Sequence, residues 1–232
     1  MIKLEHTVLP SPKQMQFVIE GMRNPMNSWD KSDSVKCYAN EKCQGICNEN
    51  KIGLCVGDND RSLMQNLSYV GTDHRKFMRM MPVYVRITAP LYWWKEADTY
   101  KIGTVANSCS TMHKIAENEF TLEDFSCEHL VCLGDFKYIV DLLNCWRSRY
   151  VQYEEDPTIG EDLEMSKKDI WWQMIQLLPS SYNQTRNVMM NYEVLANIYK
   201  SRKNHKLDEW REFCEWVTTL PLSEIITVPV ER

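Results

Sequence analysis

The sequence predicts an α/β (α+β) protein: a mixed β-sheet packed with helices, with a helix-rich C-terminal half. Three observations carry that expectation. Val83, Val85 and Ile87 alternate with Tyr84, Arg86 and Thr88, the period-2 pattern of a half-buried strand. Other stretches pair capping residues with apolar positions at helical spacing, most densely after residue 128. With 232 residues, 44% hydrophobic and 25% charged, the chain can bury a large core and is not disordered as a whole.

The elements follow in order. Ser11 is placed to cap a helix over 11–22, with Pro12 at the first helical position, where its missing N–H costs nothing. Residues 23–58 are rich in turn formers and read as a loop excursion. Asp58 or Asn59 is placed to cap a helix running to about Val70; Leu63, Leu67 and Val70 share its spacing, and Gly71 stops it. The strand follows a basic turn. Pro90 then opens a helix to about Tyr100, and residues 102–112 read as a loop of small residues. Further helices are expected over about 128–152, 166–178, 181–203 and 207–219. Asp156-Pro157-Thr158-Ile159-Gly160 is the clearest break. A boundary there would leave a bare helical bundle, so the expectation is one domain over 1–232.

Several function classes are excluded. No Gly-x-Gly occurs, so a Rossmann dinucleotide site is unsupported, and there is no Walker A motif, HExxH or Gly-x-Ser-x-Gly. A net charge of −5 argues against a nucleic-acid partner. No apolar run approaches the ~20 residues that cross a bilayer. An acidic residue stands in Met1–His6 where a signal peptide needs an apolar core, so the expected location is cytoplasmic. Nine cysteines, an odd number, argue against a closed disulfide framework and for reduced thiols.

A few constellations have chemical potential. Cys37, Cys43, Cys47 and Cys55 lie close in sequence, but their spacing departs from the tight pairs of structural zinc sites, and loop thiols are the simpler reading. The turn Asp73-His74-Arg75-Lys76-Phe77-Met78-Arg79 offers cations to a phosphate, or is a solvated turn. Thr104 to Thr111 gathers hydroxyls, an amide and unhindered N–H groups, which suits an anion or nucleobase pocket or an ordinary connection. Cys109 and His113 are too weakly placed to argue for a nucleophile. On a helix over 181–203, Asn191 and Arg202 would lie about 20° apart around the axis and roughly 16 Å apart along it. Val188, Tyr192, Leu195 and Tyr199 form a stripe expected to pack in the core. Each Trp pair, 93–94 and 171–172, is expected to put one ring in the core and one near an interface.

Three segments, in order, resemble the flavin-dependent thymidylate synthase family. The first runs from Asp60 through Gly71 and Phe77 to the strand ending in Ala89-Pro90. The second follows Pro90: Thr99, Tyr100 and Lys101, then Thr104 and Asn107-Ser108-Cys109-Ser110, stand at the family's Arg-His-Arg and serine-rich signature. The third is Leu178-Pro179, then Asn191, Leu195 and Asn197, ending in Ser201-Arg202. The match spans about 60–112 and 170–216, roughly half the chain.

The resemblance implies the fold of thymidylate-synthase-complementing proteins, a homotetramer, and reductive methylation of dUMP to dTMP with FAD, NADPH and methylenetetrahydrofolate. No enzyme nucleophile is implied, no catalytic residue is assigned, and no metal is expected. Arg202 matches the arginine that orients the nucleotide. With it, Lys101, Thr104, Asn107, Ser108 and Ser110 form the expected substrate-binding set. Asn191 and Asn197 match flavin-side asparagines, and Arg79 and His74 complete the expected cofactor set. Arg79 stands where the family has a flavin-binding histidine, and Glu193 where it has an arginine. Signature arginines are replaced by Thr99, Lys101 and Met112, the signature glutamate by Ser108 (or Asn107), and the arginine before Leu-Pro by Ile175. These losses motivate two further expectations: a diverged nucleotide or flavin reaction, or an inactive nucleotide-binding or interaction protein on the same scaffold.

Overall fold

The structure, a computed structural model, describes residues 1–37, 53–156, 158 and 164–227. In chain order its elements are β1 (Lys3–Val8), α1 (Pro12–Arg23), β2 (Val35–Lys36), β3 (Leu54–Cys55), α2 (Asp58–Val70), α3 (Lys76–Arg79), β4 (Pro82–Pro90) and α4 (Leu91–Ala97). Then follow β5 (Val105–Ser108), α5 (Thr111–Lys114), α6 (Leu133–Glu155), α7 (Lys167–Leu177), β6 (Asn183–Asn191), α8 (Tyr192–Arg202), α9 (Asp208–Thr218) and α10 (Glu224–Thr227). The fold class is the α/β class expected, with an antiparallel sheet packed against helices. The chain divides into two compact units: a sheet unit of Ile2–Ile87, Asp98–Asn107 and Asn187–Arg232, and a helical unit of Met1, Thr88–Ala97 and Ser108–Arg186.

In the sheet unit the strand order is β1-β4-β6-β5. Strands β4 and β6 continue into the helical unit, where Thr88 and Thr185 hydroxyls meet at 2.7 Å. Two residues along each strand, Arg86 Nε donates to Asn187 Oδ1 at 3.4 Å. Both contacts fit one antiparallel register. Val83, Val85, Ile87 and Ala89 are buried on one face, while Tyr84 and Arg86 are exposed on the other. Met15, Met22, Met64, Met78, Met81 and Met190 are buried, giving this unit many flexible, gap-filling side chains.

α1 begins as expected: Ser11 Oγ accepts from Gln14 N at 3.3 Å, and Gln14 Oε1 accepts from Ser11 N at 2.8 Å. α2 departs from expectation. Its N-cap is Gly57, which has no side chain to offer, and neither Asp58 nor Asn59 caps it. Asp33 does the work from outside the helix: its carboxylate accepts from Asn59 N (2.9 Å) and Asp60 N (3.1 Å). A Cβ on Gly57 would stand 2.1 Å from Asp33 Cγ, so glycine is required by the close approach.

The same helix ties down residues 23–34. Asp60 is 0% exposed and its Oδ1 accepts from Arg23 Nε at 2.6 Å. Its Oδ2 accepts from Ser32 Oγ (2.8 Å), Ser34 Oγ (2.6 Å) and the backbone N–H groups of Asp33 (3.3 Å) and Ser34 (3.2 Å). Burial pushes the carboxyl's pKa up, but the hydrogen bonds from Ser34, Ser32 and Arg23 outweigh it and hold it below its ordinary value. β2 and β3 close this excursion as an antiparallel pair, Val35 opposite Cys55. Cys43 and Cys47 of the cysteine series lie outside the described residues, as do Pro157, Ile159 and Gly160 of the expected break.

In the helical unit α6 packs on α7 around Ile115, Phe120, Phe125, Phe136, Val140, Leu143 and Met174. Asn144 fastens the loop before it, donating to Phe120 O and accepting from Phe120 N, both at 2.8 Å. Trp93 and Trp94 are both buried, at 2% and 3% exposure, against the expectation of one ring at an interface. Trp94 achieves this by donating to Gln184 O at 2.9 Å while Arg186 stacks on its ring at 4.1 Å. In the second pair Trp171 is half-buried against the core of this unit and Trp172 is the more exposed ring, so neither is fully in the core.

Two expected assignments are corrected. Residues 181–203 are not one helix: 183–191 form β6, and the helix starts at Tyr192. Val188 and Met190 are buried while Asn187 is exposed, an alternation that cross-strand pairing with β4 selects over helix formation. The shared helical face of Asn191 and Arg202 is therefore lost, since Asn191 has extended backbone (φ −127°, ψ 168°). Residues 102–112 are not a plain loop; they contain β5 and the start of α5. Among the described residues, no helix is long and apolar enough to cross a membrane.

Candidate functional site

The sheet unit gathers most of the expected site residues around α8. The N-terminus of α8 is set by Asn191, whose Oδ1 accepts from Val194 N at 3.0 Å. Tyr192 and Leu195 of the expected stripe are buried and fix its inner face. Tyr192 Oη also donates to Pro221 O at 2.6 Å. The helix packs on α9, α10 and α3, so its polar ends are held in place.

Arg202 closes the C-terminal end of α8. Its Nε donates to Tyr100 Oη at 2.9 Å, and its Nη1 lies 3.0 Å from His205 Nε2. The guanidinium carbon sits 4.9 Å from the centre of the Trp210 ring and 5.7 Å from that of Tyr100. Trp210 is fully buried, so one wall of this cage is rigid. An arginine stacked between rings is pre-organised, and less side-chain entropy is lost when it grips an anion. Tyr100, His205 and Trp210 were not singled out as site residues in the sequence.

The chain just after Tyr100, the partner of Arg202, is tight. Thr104 N donates to Lys101 O at 3.3 Å, closing a turn. Gly103 within it has φ +80°, and a Cβ there would lie 2.8 Å from Asn191 Nδ2 and 3.1 Å from Val194 Cγ2. Glycine is thus required twice over, by conformation and by space. Thr104 Oγ1 is buried and, among the described residues, has no hydrogen-bond partner. Such an unmet hydroxyl costs about 1–3 kcal/mol. Lys101 is exposed on the same turn.

At the other end of α8, Arg79 and Glu193 form a bidentate ion pair, the second contact (Arg79 Nη2 to Glu193 Oε1) at 3.2 Å. The hydrogen bond to Glu193, and then its charge, raise the Arg79 pKa above the ordinary value. The pair ties α3 to the first turn of α8. The Arg79 side chain is still 49% exposed. His74 and Asn197 are exposed as well.

The remaining expected residues lie elsewhere. Asn107, on β5, lines a cleft on the exposed face of the sheet. Ser108 and Ser110 belong to the helical unit. Ser110 has a structural task there, its Oγ accepting from His113 N at 3.2 Å to cap α5. Among the described residues, no group of three His, Cys, Asp or Glu side chains is placed to hold a metal ion.

No protein-family model matches this chain, and no curated protein matches it in sequence. Solved structures do. One is the flavin-dependent thymidylate synthase ThyX from Helicobacter pylori complexed with FAD and dUMP: TM-score 0.62, 13% identity, covering 97% of this chain and 96% of that one. A second structure of thymidylate synthase X from the same organism, with FAD and dUMP, gives TM-score 0.63 and 12% identity over 98% and 96%. The chain has the fold of these synthases. At this identity the likeness establishes fold and leaves activity to the site's own chemistry.

Proposed function

We propose that this chain is a flavin-dependent thymidylate-synthase-like protein of nucleotide metabolism, methylating dUMP to dTMP with FAD, NADPH and methylenetetrahydrofolate. One observation carries the reading: the chain follows, over nearly its whole length, the fold of synthases bound to FAD and dUMP. The nucleotide set is Arg202, with Lys101 and Thr104 on the turn that reaches Asn191. The caged guanidinium grips the phosphate, and Lys101 adds a second positive charge.

The flavin end is Arg79, His74, Asn191 and Asn197. A flavin dinucleotide needs cations for its diphosphate and amide-type groups for its ring. The turn keeps three cations, Arg75, Lys76 and Arg79, against the carboxylates of Asp73 and Glu193. The Arg79–Glu193 pair uses Nε and Nη2, and the exposed half of Arg79 stays available. These residues fit the group. A bound, reduced flavin supplies hydride; the residues named here bind and orient. Assembly into a homo-oligomer belongs to the same reading.

The test is to incubate the purified protein with FAD, desalt it and record its visible spectrum with and without dUMP. Retained flavin bands that dUMP perturbs support the proposal. A second reading, a nucleotide-binding scaffold without flavin, is favoured by the Arg79–Glu193 pair, which partly neutralises the one arginine in the cofactor set. Under it the spectrum is flat while dUMP still binds.

A further inference from the structure

The outer face of α6 carries an ordered stripe. The inner face of this helix is Phe136, Val140 and Leu143, all buried in the core of the helical unit. On the other side Asp135, Tyr138, Leu142, Cys145 and Arg149 recur at spacings of 3, 4, 3 and 4 residues. At about 100° per residue these five lie within about 80° of arc, along roughly 21 Å of helix. Alternating steps of three and four make the seam of paired helices. Tyr138 and Leu142 are 76% and 44% exposed, and Asp135 and Cys145 are exposed as well.

The charges say what the stripe fits. It holds an acid at one end, a cation at the other and no charge between them. Arg149 is held over the Trp146 ring at 4.6 Å, and among the described residues neither it nor Asp135 forms an ion pair. The acid stands seven residues before Leu142 and the cation seven after it, so the stripe complements itself when reversed. Laid antiparallel on a second copy, with a two-fold axis beside Leu142, it sets Asp135 against Arg149 at both ends and Leu142 against Leu142 at the centre. Tyr138 then meets Cys145 of the second copy. Parallel pairing would oppose Asp135 to Asp135 and Arg149 to Arg149. A uniformly acidic or basic partner would meet a like charge at one end.

We propose that α6 docks a second copy of this chain, antiparallel, through this stripe. About four turns of one helix bury less than a standard protein interface, so the pair forms as the protein is concentrated and separates on dilution. The flavin reading expects a homo-oligomer but assigns no face to it, and none of its ligand residues lies on α6. The pairing does not depend on flavin binding, and either can fail without the other.

The full-length protein is followed by sedimentation velocity from low to high micromolar concentration. A concentration-dependent association is expected, with Cys145 open to alkylation in the dilute protein and protected in the concentrated one. Leu142→Lys sets two ammonium groups on the axis and abolishes the pairing. Asp135→Arg and Arg149→Asp each oppose like charges twice and weaken it about tenfold or more. The double variant Asp135→Arg/Arg149→Asp restores it, as only the antiparallel arrangement requires. Circular dichroism checks that each variant is folded, and rescue by the double variant separates lost pairing from lost structure. A monomer at every concentration overturns the proposal. So does an oligomer that Leu142→Lys leaves intact, or a double variant that associates no better than the single ones.

Discussion

Replacing Asp60 with asparagine tests a fully buried, five-fold hydrogen-bonded carboxylate of the sheet unit. The native carboxylate is 0% exposed and its partner Arg23 is 4% exposed. One oxygen takes Arg23 Nε and the other takes Ser32, Ser34 and two backbone N–H groups. Asparagine keeps the shape but offers one acceptor oxygen, and its NH2 points at donors on one side or the other. Arg23 then stays buried without its counter-charge. Breaking a buried pair in this way costs about 3–5 kcal/mol, a large part of a typical ~5–15 kcal/mol stability. Urea unfolding followed by circular dichroism should show a lower midpoint with an unchanged slope. The pH dependence gives an independent check. The native pKa lies below the unfolded value of 3.8, so the carboxylate's contribution is fully present above 3.8 and is lost as pH falls through the depressed native pKa. Asp60→Asn should therefore flatten the wild-type loss of stability below that point. A cost under about 1 kcal/mol, or an unchanged acid profile, would refute the reasoning.

Three other outcomes follow from the geometry. Tyr100→Phe removes the acceptor of Arg202 Nε and should weaken dUMP binding about tenfold, measured by calorimetry, with the thermal midpoint nearly unchanged; equal affinity would show that Tyr100 does not position the arginine. Gly103→Ala forces a side chain into a φ of +80° and against Asn191, and should cost about 1–3 kcal/mol in urea unfolding; a neutral result would contradict the tight approach. Burial pushes the Cys214 thiol up to about 11. Mass mapping after brief alkylation near neutral pH should therefore find Cys132 and Cys145, which are exposed, modified and Cys214 untouched.

The parts of the fold that were legible in the sequence are those specified locally. Ser11-Pro12 opens α1 because capping needs only neighbours, and β4 declares itself because one face is buried and the other is not. α6, α7 and α9 lie where their periodicity placed them, within a few residues at the ends. β5 gave no such signal: all four of its residues are exposed, so it has no apolar alternation, and only its pairing with β6 makes it a strand. β6 carries two methionines, good helix formers, and is held extended by a partner strand about a hundred residues away. The N-terminus of α2 is capped from 26 residues upstream, beyond any local rule.

The site divides in the same way. Arg202 stood out through the resemblance, but its cage did not, because Tyr100 is 102 residues from it in sequence. Arg79 and Glu193 were each visible as departures from the family pattern. That they pair is a tertiary fact, since 114 residues separate them. Thr104 was singled out for its hydroxyl, and the structure adds that the hydroxyl is buried and unmet among the described residues.

The measurement that tests the central claim most directly is the visible absorption spectrum of the purified protein after incubation with FAD and desalting. Flavin bands should co-elute with the protein and shift when dUMP is added. A flat spectrum after saturating FAD would contradict it, and the fold would then be a retained scaffold with a different ligand.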